Sequence, residues 1–214
     1  MARQLIIFVK SPYIGFVKTR LARHIGKLEA QRFYRQTSEQ LLLRLNRLHN
    51  TTIHLGVTPG KDAFGTSPWP SQYRRFPQSA GDIGRRMTAA FHQIPAGPTV
   101  LIGSDIPAIT TDHIELAFRA LRKNDIVFGP AQDGGFWLLG LKHPHLPKRL
   151  FKKVRWSSEN TLEDVMRGLP PHLKVGIVDR LRDVDEIADW RAYHEAAASC
   201  SRNRGINSAK LQGL

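Results

Sequence analysis

The sequence predicts an α/β protein with a parallel sheet, and three observations carry that expectation. An apolar run, Leu5 to Val9, precedes a long helical period and a second apolar run, the strand, helix, strand order of a parallel crossover. Short apolar runs bounded by turn residues recur at Thr99 to Gly103, Asp125 to Gly129, Phe136 to Leu141 and Lys174 to Val178, with helical periods among them. The 214 residues show no internal repeat and no break in composition, and that length suffices for one sizeable core.

The first strand leads into a loop with Pro12 and Gly15 and the cations Lys10, Lys18, Arg20 and Arg23. Loop amides and fixed cations at the carboxyl end of a strand can hold a polyphosphate. The same residues read equally well as a basic surface loop. Ala30, Phe33, Thr37, Leu41, Leu45 and Leu48 then recur every three or four residues and predict a long helix with that face inward. Thr52 to Val57 predicts the second strand. Residues 58–80, rich in Pro and Gly, predict a long connection with a short strand near Tyr73 to Phe76. Gly81-Asp82-Ile83-Gly84 opens a helix whose inward face is Ile83, Met87, Ala90, Phe91 and Ile94. Its glycines either admit a ligand close to the backbone or shape a turn capped by Asp82.

The strand Thr99 to Gly103 ends in Ser104-Asp105-Ile106-Pro107. Ligands of open α/β sheets bind at the carboxyl ends of strands, so Asp105 is a candidate holder of a metal-bound phosphate, with an Asx turn before Pro107 as the alternative. Thr111 is the expected cap of a helix with Ile114, Ala117, Phe118 and Leu121 inward. Between the next two strands, Asp133-Gly134-Gly135 is a strong turn signal, and local sequence favours that reading; the Asp133 carboxylate could also accept a proton or bind a hydroxyl there. Lys152 to Trp156 is a basic, aromatic segment before a helix capped by Ser157 or Ser158, with Leu162, Val165, Met166 and Leu169 inward. After the last strand, Asp183-Val184-Asp185 precedes a helix carrying Ile187, Trp190, His194 and Ala197. Asp185 is the expected cap of that helix, and both carboxylates could reach a metal from the strand's end. Residues 1–198 are expected to form a single domain and residues 199–214, small and polar, a frayed tail.

Hydrophobic residues at 41% and charged residues at 23% describe an ordinary globular chain. The net charge of +14 favours anionic partners such as nucleotides, RNA or acidic membranes, but the basic residues are scattered without the aromatic interleaving of a nucleic-acid platform, so nucleic acid is not favoured. No apolar run approaches the roughly 20 residues that span a bilayer, and no signal peptide is legible, so the expectation is a cytoplasmic protein without stable membrane insertion. The lone Cys200 excludes a disulfide framework and a thiolate metal cluster. The nine histidines form no HExxH spacing, and neither a GxSxG elbow nor a GxxxxGK[ST] loop is present, which removes most of the weight from zinc hydrolase, serine hydrolase and P-loop readings.

Six segments in a fixed order, FVKSPYIGFVKTRLA, GDIGRRM, LIGSDIP, GPAQDGGFWLLGL, WSSENT and DVDEIADW, resemble the bacterial glycosyltransferase-A-like family of transferases sometimes labelled radical-SAM/selenodomain-associated transferase 1, over about residues 4–192. The chain is similar, more remotely, to the guanylyltransferase that activates phospholactate. The resemblance implies a three-layer αβα nucleotide-diphospho-sugar transferase (glycosyltransferase-A, Rossmann-like) fold, whose mixed, mostly parallel sheet has one reversed strand near the DGG segment. It implies nucleotide binding by Lys10, Gly15, Lys18 and Arg20, to which local sequence adds Gly81, Asp82 and Gly84 as further candidates, and an acceptor pocket near Asp133, Gly134, Gly135, Trp156 and Ser157. By the same likeness Asp105, with Asp183 or Asp185, would hold a divalent metal, Mg or Mn.

The function expected from these readings is glycosyl transfer from a nucleoside-diphosphate sugar to a small-molecule acceptor, with Asp105 and Asp133 as the catalytic carboxylates. Nucleotidyl transfer from a nucleoside triphosphate with release of pyrophosphate is the alternative, and a non-catalytic nucleotide or RNA binding protein is a third reading. Sequence leaves the donor base and sugar, the acceptor and the oligomeric state open.

Overall fold

Leu5, Ile6 and Ile7 are all fully buried, so strand β1 (Arg3–Lys10) has no solvent face and must lie inside a sheet covered on both sides. A computed structural model, which describes residues 2–143, 147 and 150–196, places it there. β1 pairs in parallel with β2 (Thr51–Thr58) and with β4 (Thr99–Gly103), while β3 (Arg74–Pro77) extends the sheet beyond β2. On the other side β6 (Phe136–Leu141) runs antiparallel between β4 and β5 (Ile126–Pro130), and the short β7 (Val175–Ile177) pairs in parallel with β5. The seven-stranded order is β3-β2-β1-β4-β6-β5-β7, with β6 the one reversed strand.

Alternate residues of the strands feed two cores. Leu5, Ile7, Leu55, Val57, Val100 and Ile102 meet Tyr34, Leu41 and Leu45 of α2 (Lys27–Leu45) and Ile114 and Phe118 of α4 (Thr111–Ala120). Ile6, Leu101, Phe128 and Leu139 meet Met87, Ala90 and Phe91 of α3 (Ile83–His92) and Val165 of α5 (Thr161–Arg167). The result is the expected three-layer αβα arrangement with a mixed, mostly parallel sheet. A last helix over residues 187–196, α6, lies against the outer side of α2 through Tyr193 and His194 on Phe33. No helix among the described residues is long and apolar enough to cross a membrane.

Several local expectations need correction. The opening loop ends earlier than its basic run, because Thr19–Ile25 forms a helix, α1, whose Leu21 is buried. On α2 the inward aromatic is Tyr34, not Phe33, and the helix ends at Leu45, leaving Leu48 on the turn beyond it. The long connection after β2 contains a 3-10 turn, Gly60–Ala63, as well as β3. Thr110 rather than Thr111 caps α4: its hydroxyl accepts from the His113 amide while the His113 ring accepts from the Thr110 amide, a reciprocal pair that Thr111 could not make one residue later. The cap of α5 is Asn160, since Ser157 and Ser158 belong to the turn before it. Ile83 and Met166 are exposed rather than inward. Asp185 does not cap α6; Asp189 accepts from the amides of Asp185 and Glu186, leaving the Asp185 carboxylate free for another partner. Ala197, Cys200 and the tail from residue 199 lie outside the described residues.

One buried polar pair ties β2 to β1. His54, only 3% exposed, meets the Gln4 side chain at 2.7 Å, and burial followed by the nearby Arg74 charge lowers the His54 pKa to about 4. The unfolded chain therefore binds this proton first as pH falls, so stability drops between the ordinary value of 6.5 and about 4, by up to about 3 kcal/mol. Urea denaturation of His54→Gln at pH 7 and pH 4.5 is expected to show a loss smaller than that of the parent by about 2 kcal/mol. Parallel losses in the two proteins would refute this account of His54.

Candidate active site

Each parallel strand delivers its carboxyl end to one edge of the sheet, and the chain puts its chemistry there. The segment after β1 turns through Lys18, which adopts the left-handed conformation (φ 46°, ψ 47°) and sends its side chain inward, 3% exposed. Its ammonium donates to Asp105 Oδ2 and to Asp185 Oδ1, each at 3.2 Å. Asp105 stands just past the end of β4, and Asp185 lies between β7 and α6. Arg20 approaches the second Asp185 oxygen at 3.7 Å from the exposed side of α1. One buried cation thus joins three distant segments.

The charges around it bias one another. Burial works to lower the Lys18 pKa, but the Asp105 and Asp185 carboxylates outweigh it and the ammonium is held above its ordinary value. Desolvation pushes the Asp105 carboxyl upward, but Lys18 more than offsets this and holds it below the usual carboxylate range. Asp183 makes no ion pair with a described residue. Burial, then repulsion from Asp105, raises its pKa to about 6; Lys18 offsets part of this, and Asp133 and Asp185 add to it.

Behind these carboxylates Tyr34 braces the strand ends. Its hydroxyl accepts from the Lys10 amide at 2.8 Å and shares a hydrogen with Ser104 Oγ at 2.9 Å, so α2 fixes the end of β1 against the residue before Asp105. The sequence period placed Phe33 inward, one residue away. A hydroxyl-bearing aromatic early in α2, facing strand ends, was the signal that could have found Tyr34.

The opposite wall is built from the β5–β6 turn and the segment before α5. Asp133 does what a turn aspartate does, with Oδ1 accepting from the Gly135 amide at 2.9 Å, yet it also faces the cavity. Gly134 (φ 86°) packs so closely on the Glu159 backbone that a Cβ would lie 2.0 Å from the Glu159 carbonyl oxygen. Arg155 clamps Asp164 through Nε and Nη2, both at 2.8 Å, which holds the adjoining Trp156 and Ser157 in place. Trp156 lies over Gly84, where a Cβ would approach its ring to 2.6 Å; close packing of α3 thus accounts for this glycine.

The cavity enclosed has a volume of about 420 Å³. Nine of the sequence-derived candidates line it: Lys10, Lys18, Asp105, Asp133, Gly135, Trp156, Ser157, Asp183 and Asp185. Gly15, Arg20, Gly81, Asp82, Gly84 and Gly134 do not; Asp82 caps α3 by accepting from the Arg85 amide at 2.8 Å. Arg86, Ile83, Met87 and Phe136 join the lining without having been singled out as ligand contacts. Most charged groups of the lining come from the segments at the ends of β1 and β4 and beyond β7, while the side toward α3 and β6 mixes the apolar Ile83, Met87, Phe136 and Trp137 with Arg86. Among the described residues no three His, Cys, Asp or Glu side chains converge closely enough to hold a metal ion.

This architecture, with its one reversed strand beside the DGG turn, is the nucleotide-diphospho-sugar transferase fold. More particularly, the chain belongs to the DUF2064 family, described as uncharacterized proteins conserved in bacteria, whose profile matches residues 34–158. A crystal structure of a candidate nucleotide-diphospho-sugar transferase from Desulfovibrio desulfuricans G20 is similar at 30% identity and a TM-score of 0.76, over 89% of this chain and 85% of that one. Two more distant structures share the fold. Rv0371c of Mycobacterium tuberculosis H37Rv, in complex with manganese, is 11% identical with a TM-score of 0.51, over 90% of this chain and 97% of its own. The molybdopterin-guanine dinucleotide biosynthesis protein A of Archaeoglobus fulgidus is 13% identical with a TM-score of 0.54, over 92% and 99%. Curated protein sequences give no match to the chain.

Two outcomes follow from this geometry. Lys18→Met leaves the acidic cluster without its shared cation and should lower stability at neutral pH by about 2 kcal/mol, less than a fully buried pair because Asp105 and Asp185 are 42% and 37% exposed. Chemical denaturation of parent and variant would read this, and equal stabilities would count against the cation as the tie between segments. Gly134→Ala should destabilise by more than about 3 kcal/mol or fail to fold, because both φ and the Glu159 contact oppose a Cβ; a variant with parental stability would contradict the observed packing.

Proposed function

We infer that the chain is a transferase that uses a nucleoside-diphosphate sugar as donor and a small molecule as acceptor. The single observation that carries this reading is Lys18, a buried ammonium paired with Asp105 and Asp185 at the carboxyl edge of the sheet, lining the cavity. A cation held in a recessed site is worth most against charge that develops during reaction. Lys18, with Lys10 and Arg20 nearby, would meet the diphosphate and stabilise the departing nucleoside diphosphate. The likeness to the Desulfovibrio protein supports a sugar nucleotide as donor.

In the reaction, the acceptor hydroxyl oxygen forms a bond to the anomeric carbon as the bond from that carbon to the diphosphate oxygen breaks. The hydroxyl proton passes to a base, for which Asp133 is the candidate: Oδ1 is engaged by the turn and Oδ2 remains to orient or deprotonate the acceptor. Trp156, Ser157 and Gly135 would line the acceptor's place.

The residues also fit a divalent ion. Their donors are hard oxygens, and magnesium commonly takes one or two carboxylates and completes its shell from substrate phosphates and water rather than from a protein cage. Asp105 with Asp183 or Asp185 would hold it, and the manganese complex of the Mycobacterium protein supports the assignment. Bound, the ion would neutralise charge on the diphosphate.

Thermal unfolding against nucleoside diphosphates, triphosphates and nucleotide sugars, with and without magnesium or manganese, tests this reading. A ligand near a hundred times its dissociation constant adds about 2.7 kcal/mol, a midpoint shift of about 5 °C or more for this length. Asp105→Ala is expected to lose the metal-dependent part of the shift while keeping its fold. The absence of any nucleotide shift would defeat the proposal. Product analysis decides the chemistry: free nucleoside diphosphate means glycosyl transfer, and pyrophosphate from a triphosphate would replace it with nucleotidyl transfer through the same cradle.

A further inference from the structure

The loop between β1 and α1 has two sides. Its ends, Lys10 and Lys18, line the cavity, but its crown turns outward with Tyr13 at 42%, Ile14 at 57% and Phe16 at 76% exposure, and Leu28 at the start of α2 adds 46%. Tyr13 and Phe16 pack edge to face at 6.4 Å, so the crown is a formed apolar knob rather than splayed side chains. Phe64, also exposed, lies two residues beyond Asp62, whose carboxylate stands beside the Tyr13 hydroxyl. Single exposed apolar residues are ordinary; an aromatic and aliphatic group of this kind on one projecting loop is not.

Basic residues flank the knob along the chain. The nineteen residues 10–28 contain five Lys or Arg and no Asp or Glu. Lys18 is turned inward, but Arg23 and Lys27 are exposed, and the Lys27 side chain lies 3.7 Å from where a Cβ of Gly15 would stand, directly under the crown. Neither makes an ion pair with a described residue, and the whole chain carries +14. Aromatic and aliphatic residues to enter the headgroup layer, with cations around them to meet anionic headgroups, form the pattern of a peripheral membrane contact. RNA would use the cations but would leave Ile14, Phe16 and Leu28 without a role.

We propose that the loop of residues 12–16, with Arg23, Lys27 and Leu28, docks the protein on an anionic lipid surface and sets the mouth of the cavity against it. The proposal rests on exposure and charge and stands apart from the transferase reading. Its consequence for the site is that an acceptor carried by the membrane could enter without crossing bulk water.

The test is flotation of the full chain with vesicles of phosphatidylcholine alone or mixed with phosphatidylglycerol. Binding to the mixed vesicles only, weakened by salt, is expected. Ile14→Ser/Phe16→Ser should reduce it at least ten-fold, as should Arg23→Glu/Lys27→Glu, with unfolding midpoints unchanged. In Phe16→Trp on the parent background, emission should shift to shorter wavelength when mixed vesicles are added. The nucleotide-dependent thermal shift of Ile14→Ser/Phe16→Ser should match the parent's, which separates failure of this proposal from failure of the proposed function. The proposal is overturned by equal binding to both vesicle types, by vesicle binding that survives the apolar substitutions, or by loss of the nucleotide response in that variant, which would make the loop a lid. RNA binding of parental strength by Ile14→Ser/Phe16→Ser without any vesicle binding by the parent, or dissociation of a dimer on that substitution, would likewise replace a lipid partner with RNA or a second copy of the chain.

Discussion

The candidate site depends on one buried ammonium. Lys18 comes from the loop after β1, Asp105 from just past the end of β4 and Asp185 from the segment beyond β7; β1 and β4 are paired as far as Phe8 and Gly103, but among the described residues no strand ladder includes any of these three. A cation withdrawn from water is tolerable only with close counter-charges, and two carboxylates crowd one another unless a cation stands between them. Each party therefore requires the others, and the arrangement fixes the register of three loops at once. Asp183, which makes no ion pair with Lys18, has its pKa raised to about 6 chiefly by burial and then by repulsion from Asp105, with Lys18 offsetting only part of this.

The cavity wall on the other side is held by different means. Here the ties are a backbone contact, Gly134 on Glu159, a bidentate clamp, Arg155 on Asp164, and ring packing of Trp156 over Gly84. None involves the acidic cluster. The two walls of the cavity are thus held by separate sets of contacts, the Lys18 cluster on one side and glycine packing with the Arg155–Asp164 ion pair on the other.

Much of this was legible in the sequence because the signals were strong ones. The apolar runs at β1, β2, β4 and β6 have the length and flanks of buried strands, and their edges were placed within a residue or two. Asp105 could be picked out because it follows such a strand directly. The reversed direction of β6 was not legible in periodicity, since an apolar run carries no arrow; it entered through the family likeness and the short DGG connection. The misplaced details share a physical origin. Phe33 and Tyr34 are neighbours on a helix, and only the strand ends opposite them decide which turns inward. Thr110 and Thr111 are equal as residue types, and the His113 ring chooses between them. Asp185 had every local mark of a helix cap, and a lysine 167 residues away in the chain claims its carboxylate instead. Each is a tertiary partner overruling a local preference.

The reversed strand has a wider consequence for how such a site could diversify. Because β6 starts where the parallel strands end, the turn carrying Asp133 is a hairpin tip and not part of a crossover, so its shape can change without rerouting a helix across the sheet. The tip is nevertheless locked to the Glu159 backbone by a contact only glycine allows. Residues 131–135 and 156–160 are therefore physically coupled. A change in the length or backbone of one segment has to be met by the other, whereas the lysine and its carboxylates on the far wall are tied to neither.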